Sequence, residues 1–365
     1  MINESAENIH TDRPSKKKPI FPVTPHLRKY LRKYGREVDL PAAYEDLQRF
    51  IYTTPIKSKD GLKDSSWERV SYDMYEWQLL KENLIKNYAI LKTKGDLEYI
   101  QNLEVAAIDF CYFGNSQPFR IRIINKFNDN YDHYYIKRAD TSRVFGLELE
   151  HLLSPNRITY FTNNNTLVEE HIPGIPGDIF IKDYLHKPET NQIRLAKEFV
   201  KFNTRCFAQL LGDMRSYNFI VNITPDVLNY QYRFRAIDFD QQCYEGRKNL
   251  YLPQFFKENN AFVQIVANHL NKESIAQYQA EERTLMAFRL ASARYRIKEL
   301  SDIMMEEEIS KPEKVLQLSN ELAEHYQQPS FLKATTMGQI VKLQLKQELR
   351  KSLEHIPKTS FRIAD

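Results

Sequence analysis

LGDMRSYNFIVNITPDVLNYQYRFRAIDFDQ, from Leu211 to Gln241, is the stretch whose reading decides the fold. An acid at Asp213 stands five residues before an amide at Asn218, and the stretch closes on two acids, Asp238 and Asp240. The apolar run Phe219 to Val221 and the alternating run Arg233 to Ile237 read as strands. The polar segment between them, with Pro225, Asp226 and Asn229, reads as the turn of a hairpin. An antiparallel hairpin sets the residue entering its first strand opposite the residue leaving its second, so Asn218 is expected beside Asp238. Two oxygen ligands then face one point. A hard cation such as Mg²⁺ takes a few protein oxygens and leaves its other positions to water and nucleotide phosphate, which suits this pair. Asp213, at the head of the loop, is placed to orient an attacking hydroxyl.

The order GDxxxxN, strand, turn, strand, IDFD resembles the catalytic and metal-binding segments of the protein-kinase-like fold, and most of all its aminoglycoside phosphotransferase branch. The resemblance gives Asp213 the part of catalytic base. Asn218 and Asp238, with Asp240 beside them, become the metal ligands, and Arg215 the residue that offsets charge near the transferred phosphate. Two positions depart from the pattern: Leu211 stands where a histidine usually precedes the loop, and DFG is replaced by Asp238, Phe239, Asp240.

Upstream of this core, VAAIDFCYFGNSQPFRIRIINKF from Val105 and the following HYYIKRA read as three strands joined by the turn sequences GNSQP and NDNYD. In the kinase-like fold such a meander covers the nucleotide phosphates with its first turn and carries a lysine on its third strand. The resemblance therefore points to Lys137 for the phosphates and to Asn115 and Ser116, with their backbone amides, for the turn. SRVFGLELEHLL, from Ser142 to Leu153, reads as a helix with Ser142 at its N-cap and Pro155 beyond its end. The resemblance implies a helix glutamate paired with the lysine; Glu148 is the choice and Glu150 the alternative. RITYF and TLVEEHIPGIPG follow as strands running into a hinge, where the backbone of Glu170 to Ile172 would meet adenine and Pro173 to Gly177 would bend the chain.

The rest of the chain is read as helix. Thr24 to Arg36 carries Leu27, Tyr30, Leu31 and Tyr34 at helical spacing with basic residues on the other faces. Further helices are expected over Pro41 to Ile51 and, after a polar KSKDGLKDSS linker, from Trp67 to about Lys92. Glu189 to Leu211 supports the loop behind it, and from Leu252 onward the chain is helical, including one long segment from Glu273 to Glu307. The expected architecture is α+β: a bilobal kinase-like fold with an antiparallel-sheet small lobe over 101–172 and a helical large lobe over 173–365. A basic tail over 1–22 and a helical extension over 23–100 precede it.

Composition bounds the function. The chain has 365 residues, 42% hydrophobic and 27% charged, with a net charge of +4, which describes a folded chain and gives little of the field that nucleic-acid binding needs. Its three cysteines, Cys111, Cys206 and Cys243, have no CxxC spacing, so neither a disulfide framework nor a zinc site is indicated. No apolar run approaches the ~20 residues that span a bilayer. A cytoplasmic protein is expected, using ATP and Mg²⁺ to phosphorylate a hydroxyl of a small molecule or sugar. The alternative is a pseudokinase, a nucleotide-binding or scaffolding module whose N-terminal helices engage a protein partner.

Overall fold

The computed structural model describes residues 18–57, 63–93, 95, 100–112, 114–227 and 230–356. Most of the basic tail, the middle of the KSKDGLKDSS segment, Asn229 in the hairpin turn and the last nine residues lie outside them. The fold is α+β with antiparallel sheets. Three strands form the expected meander, β3 (Leu103–Phe110), β4 (Phe119–Asn125) and β5 (Tyr131–Arg138). Their inward positions, among them Val105, Phe119, Ile121, Tyr134 and Ile136, are buried. Helix α4 (Thr141–Leu153) and the strands β6 (Tyr160–Asn163) and β7 (Thr166–Glu170) follow, and β7 pairs with both β5 and β6.

The sheet is wider than expected because the first hundred residues are not all helix. Tyr52–Lys57 and Lys63–Ser71 are strands β1 and β2, and β2 pairs with β3 through Glu68 opposite Phe110 and Arg69 opposite Asp109. The seven strands run β1-β2-β3-β4-β5-β7-β6. The helical expectation for 23–100 is corrected there: β3 offered an unpaired edge, Val70-bearing β2 satisfied it, and Thr-bearing β1 paired in turn with β2. Arg69 donates to the Asp109 carboxylate across this junction, and Asp109 also receives Arg120. The helix expected from Trp67 starts instead at Met74, after Asp73 accepts from the Glu76 amide. This helix, α3 (Met74–Thr93), lays Leu80, Leu84, Tyr88 and Leu91 on the sheet and leaves Met74 exposed. Only Tyr44–Leu47, α2, is helical within 41–51.

Helix α1 (Pro25–Lys33) buries Leu27, Tyr30 and Leu31, capped by the Thr24 side chain. C-terminal to β7, the short strand β8 (Ile175–Pro176) leads into α5 (Gly177–Asp183) and α6 (Gln192–Gln209). The hairpin forms as read, β9 (Phe219–Pro225) against β10 (Tyr230–Ala236), and the proline-bearing hinge adds β8 as its third strand. Five α-helices follow among the described residues: α7 (Asn260–His269), α8 (Lys272–Ser292), α9 (Arg294–Glu306), α10 (Pro312–Tyr326) and α11 (Met337–Glu354). The segment read as one helix from Glu273 to Glu307 is broken at Ala293 into α8 and α9. Buried apolar residues fall into two clusters. One lies between the seven-stranded sheet and α2 and α3, and the larger fills the space among α1, α4, the small sheet and the later helices. Among the described residues no helix is long and apolar enough to cross a membrane.

Packing of α11 on α9 depends on Gly338, where an added Cβ would overlap the Met304 carbonyl oxygen and carbon. Backbone cannot swing aside as a flexible side chain can. Gly338→Ala is therefore expected to lower the unfolding free energy by about 1–3 kcal/mol, read from the shift in urea midpoint at unchanged slope.

Candidate functional site

Helix α4 begins beside the meander and sets the centre of the site. Asp140 is its N-cap, in place of the expected Ser142, and accepts from the Arg143 amide, the Lys18 ammonium and the Phe21 amide. An N-cap carboxylate satisfies amides that the first helical turn leaves unpaired, and here it also ties down the chain before α1. The cap fixes Arg143 in the first turn with its side chain almost wholly buried, 1% exposed. Its guanidinium makes a bidentate pair with Glu169 on β7 and reaches Asp238 and Asp240 at 2.9 Å each.

Lys137 completes this network. On β5 it stands opposite Leu167 of β7, so Glu169, two residues further along β7, lies on the same face of the sheet. The ammonium donates to Glu169 Oε2 at 2.7 Å. Glu148, expected as the lysine's partner, is five residues beyond Arg143, and 3.6 residues per turn carry it to another face of α4. There it accepts from Tyr30, Tyr160 and Arg296 and pairs with Arg36, tying α1 and α9 to α4. Glu150 accepts from Gln209. Neither helix glutamate pairs with Lys137. The charge is reversed relative to expectation, with an arginine on the helix and the carboxylate on the strand.

Two buried cations, Lys137 and Arg143, thus face three carboxylates, Glu169, Asp238 and Asp240. Burial alone raises a carboxyl pKa, but the charge of Arg143 and then of Lys137 outweighs it at Glu169 and brings it to about 2. Burial lowers the Lys137 ammonium, Arg143 adds repulsion, and Glu169 only partly offsets them. At Asp238 burial and the neighbouring Asp240 carboxylate prevail over Arg143 and hold the carboxyl above the ordinary range. The Glu169 direction sets an acid limit. Its folded value lies below the ordinary 4.5, so its contribution to stability is present above about pH 4.5 and is lost as the pH falls towards 2. Melting temperatures measured across that window should fall for the wild-type chain and fall less for Glu169→Gln.

The loop after α6 carries the second half. Leu210 and Asp213 both adopt left-handed backbone, with φ of 55° and 57°. A non-glycine residue there is uncommon and concentrates at functional turns. Gly212 lies between them against the Gln241 carbonyl, which would stand 3.0 Å from an added Cβ. Arg215 donates to Asp213 Oδ1 at 2.8 Å and to Glu258 at 2.7 Å, while the Asn218 amide nitrogen donates to the Asp213 carbonyl at 2.7 Å. Burial raises the Asp213 carboxyl above its ordinary value, only partly countered by Arg215. Asp213, Arg215 and Asn218 are brought together as read.

Register corrects one detail. Ala236 pairs with Phe219 and the Ile237 amide donates to the Asn218 carbonyl, so Ile237, and not Asp238, stands opposite Asn218. Asp238 follows one residue later, its side chain 36% exposed. Asn218 Oδ1 and Asp238 Oδ2 accept no hydrogen bond among the described residues. Magnesium is commonly held by one or two carboxylates together with substrate phosphate and water. Lys137 and Arg143 leave one of the three carboxylates uncompensated, and an excess carboxylate with free oxygens is the donor chemistry a hard divalent cation takes. No group of three His, Cys, Asp or Glu among the described residues could hold one unaided.

Of the remaining expected contacts, Ser116 is buried and its carbonyl accepts from the Arg138 amide, which folds the 114–118 turn against the end of β5 beside Lys137. Asn115 is partly exposed in the same turn. The Glu170 amide is not available to a ligand, because it donates to the Thr159 carbonyl and the Glu170 carboxylate in turn accepts from the Thr159 amide. Ile172 is buried at the start of the bend. Sequence reasoning missed Arg143 and Glu169. The nearest signal was the doubled acid at 169 and 170, whose first member shares a face with Lys137 only once the β5–β7 register is known. The sequence matches no protein-family model and no curated protein.

Proposed function

We propose that this chain is a phosphotransferase of the protein-kinase-like fold that moves the γ-phosphate of ATP to a hydroxyl of a small molecule or sugar. The observation that carries the reading is the buried network joining Lys137, Glu169, Arg143, Asp238 and Asp240 across the meander, α4 and the end of the hairpin. Lys137, the bend at Pro173 to Gly177, GDxxxxN and IDFD occur in the order the resemblance requires, whereas the acid that meets Lys137 is Glu169 on β7 and not a residue of α4. Of the two apolar clusters, the smaller, between the seven-stranded sheet and α2 and α3, supports a sheet lobe, while the larger joins α4, β6 and β7 to the later helices. Such preorganisation is what phosphoryl transfer asks of a protein, since alignment and charge neutralisation provide most of the rate.

In this reading Lys137 binds nucleotide phosphate. Asp238, Asp240 and Asn218 would hold Mg²⁺, which when bound neutralises charge on the phosphates. Asp213 accepts the acceptor's proton, its raised pKa bringing it closer to that of a working base. Arg215 keeps Asp213 oriented through the 2.8 Å contact and faces the transferred group. The hydroxyl oxygen forms its bond to the γ-phosphorus as the bond from that phosphorus to the bridging oxygen breaks, and ADP leaves.

A second reading, the pseudokinase, rests on Arg143, whose guanidinium already neutralises part of the charge that a metal would meet at Asp238 and Asp240. The two separate on ATP turnover by the purified chain, compared with Asp213→Ala and Asp238→Ala. Turnover lost in both variants supports the enzyme. MgATP binding with no turnover above that of the variants supports the pseudokinase.

A further inference from the structure

Beside Asp213 lies a groove of about 530 Å³, the size of a small-molecule site. Its wall includes Leu250, whose carbonyl accepts the Asp213 amide at 3.1 Å, so the groove and the candidate base share backbone. Three cations line it, Arg215, Arg247 and Lys257, against one carboxylate, Glu258. That carboxylate is spent inward: Oε1 holds Arg215 and Oε2 is buried. Arg247 and Lys257 are exposed and, among the described residues, have no carboxylate partner. Arg215 is fixed from below by the Phe256 ring, 5.1 Å from its guanidinium carbon, and Phe255 stands 56% exposed at the wall.

We propose that this groove is the acceptor site and that it takes a hydroxyl compound already carrying a phosphate group. Arginine presents a planar fork that matches phosphate oxygens, lysine adds a compact charge, and an exposed aromatic ring covers the apolar face of a bound molecule. A polycationic acceptor of the aminoglycoside kind would meet two uncompensated like charges, Arg247 and Lys257, since Arg215 is already paired with Asp213 and Glu258. The site therefore departs from the branch that the loop sequences resemble. The transfer step rests on the phosphotransferase reading: the acceptor hydroxyl gives its proton to Asp213, its oxygen bonds the γ-phosphorus of ATP, and the bond to the leaving ADP oxygen breaks. The anion preference does not depend on it.

The test is calorimetric titration of the full chain with inorganic phosphate and, separately, with spermidine, in the wild type and in the double variant Arg247→Gln, Lys257→Gln. Both side chains are exposed, and equal melting temperatures will show that the variant is folded. Phosphate should bind the wild type, spermidine should not, and the double substitution should weaken phosphate by about tenfold or more, the effect of losing charged hydrogen bonds. Equal phosphate affinity in the two proteins, or preference for spermidine, overturns the proposal. Titration with MgATP separates the two layers. If MgATP fails to bind while phosphate still distinguishes wild type from variant, the phosphotransferase reading falls and the anion groove stands. If MgATP binds while phosphate does not distinguish them, only the groove falls.

Discussion

Asp213→Asn is expected to reduce ATP turnover by about 10²–10⁴-fold while leaving MgATP affinity within a few-fold of wild type. The substitution keeps shape and an oxygen for Arg215, whose Nε lies 2.8 Å from Asp213 Oδ1, while it removes the negative charge and with it the capacity to accept a proton. Stability supplies an independent check with the opposite sign. The Asp213 carboxyl is raised in the folded chain, so its stabilising contribution exists at low pH and is lost as the pH rises through the folded value. At neutral pH the ionised group costs stability, and Asp213→Asn should melt no lower than wild type. Turnover should likewise fall in acid as Asp213 is protonated, with a midpoint above the ordinary aspartate value. A variant that keeps full turnover would remove Asp213 from the chemistry.

Glu169→Ala should be the most damaging single change to folding, costing about 3–5 kcal/mol in unfolding free energy measured by urea denaturation. It withdraws the one carboxylate shared by Lys137 and Arg143 and strands the lysine charge in a site where only 9% of that side chain is exposed. Removing both ends of a buried pair is far milder than removing one. Lys137→Met with Glu169→Leu should recover much of the loss, because Arg143 keeps Asp238 and Asp240. Asp238→Asn, at a side chain 36% exposed, should cost less than Glu169→Ala. If Glu169→Ala is no more harmful than Asp238→Asn, the network does not hold the two sheets together as argued.

Legibility followed distance along the chain. The hairpin, the meander, the body of α4 and, apart from the break at Ala293, the helices after Leu252 were readable because each depends on spacing and turn chemistry within a few residues. Asp213, Arg215 and Asn218 were readable together for the same reason: the loop that unites them spans six positions and closes through its own backbone. The Lys137 partner was misread. A helix glutamate was chosen by resemblance, whereas the pairing depends on which face of α4 and which register of β7 meet Lys137. The strands at 52–57 and 63–71 were misread because β2 takes its place on the edge of β3, some forty residues away, and β1 pairs only with β2.

By itself the sequence determined most elements from Val105 onward and the chemistry-bearing loop, since local backbone preference and the alternation of apolar and polar residues act over one or two turns of chain. Tertiary structure alone decided that Arg143 bridges Glu169 to Asp238 and Asp240, that Glu148 serves the N-terminal helix through Tyr30, and that three cations gather beside Asp213. The bond from Arg143 to Glu169 spans 26 positions and that from Tyr30 to Glu148 spans 118, and strand register and helix rotation, set by the packing of two apolar clusters, choose them. A shift of one residue in either would have turned each charge towards another neighbour.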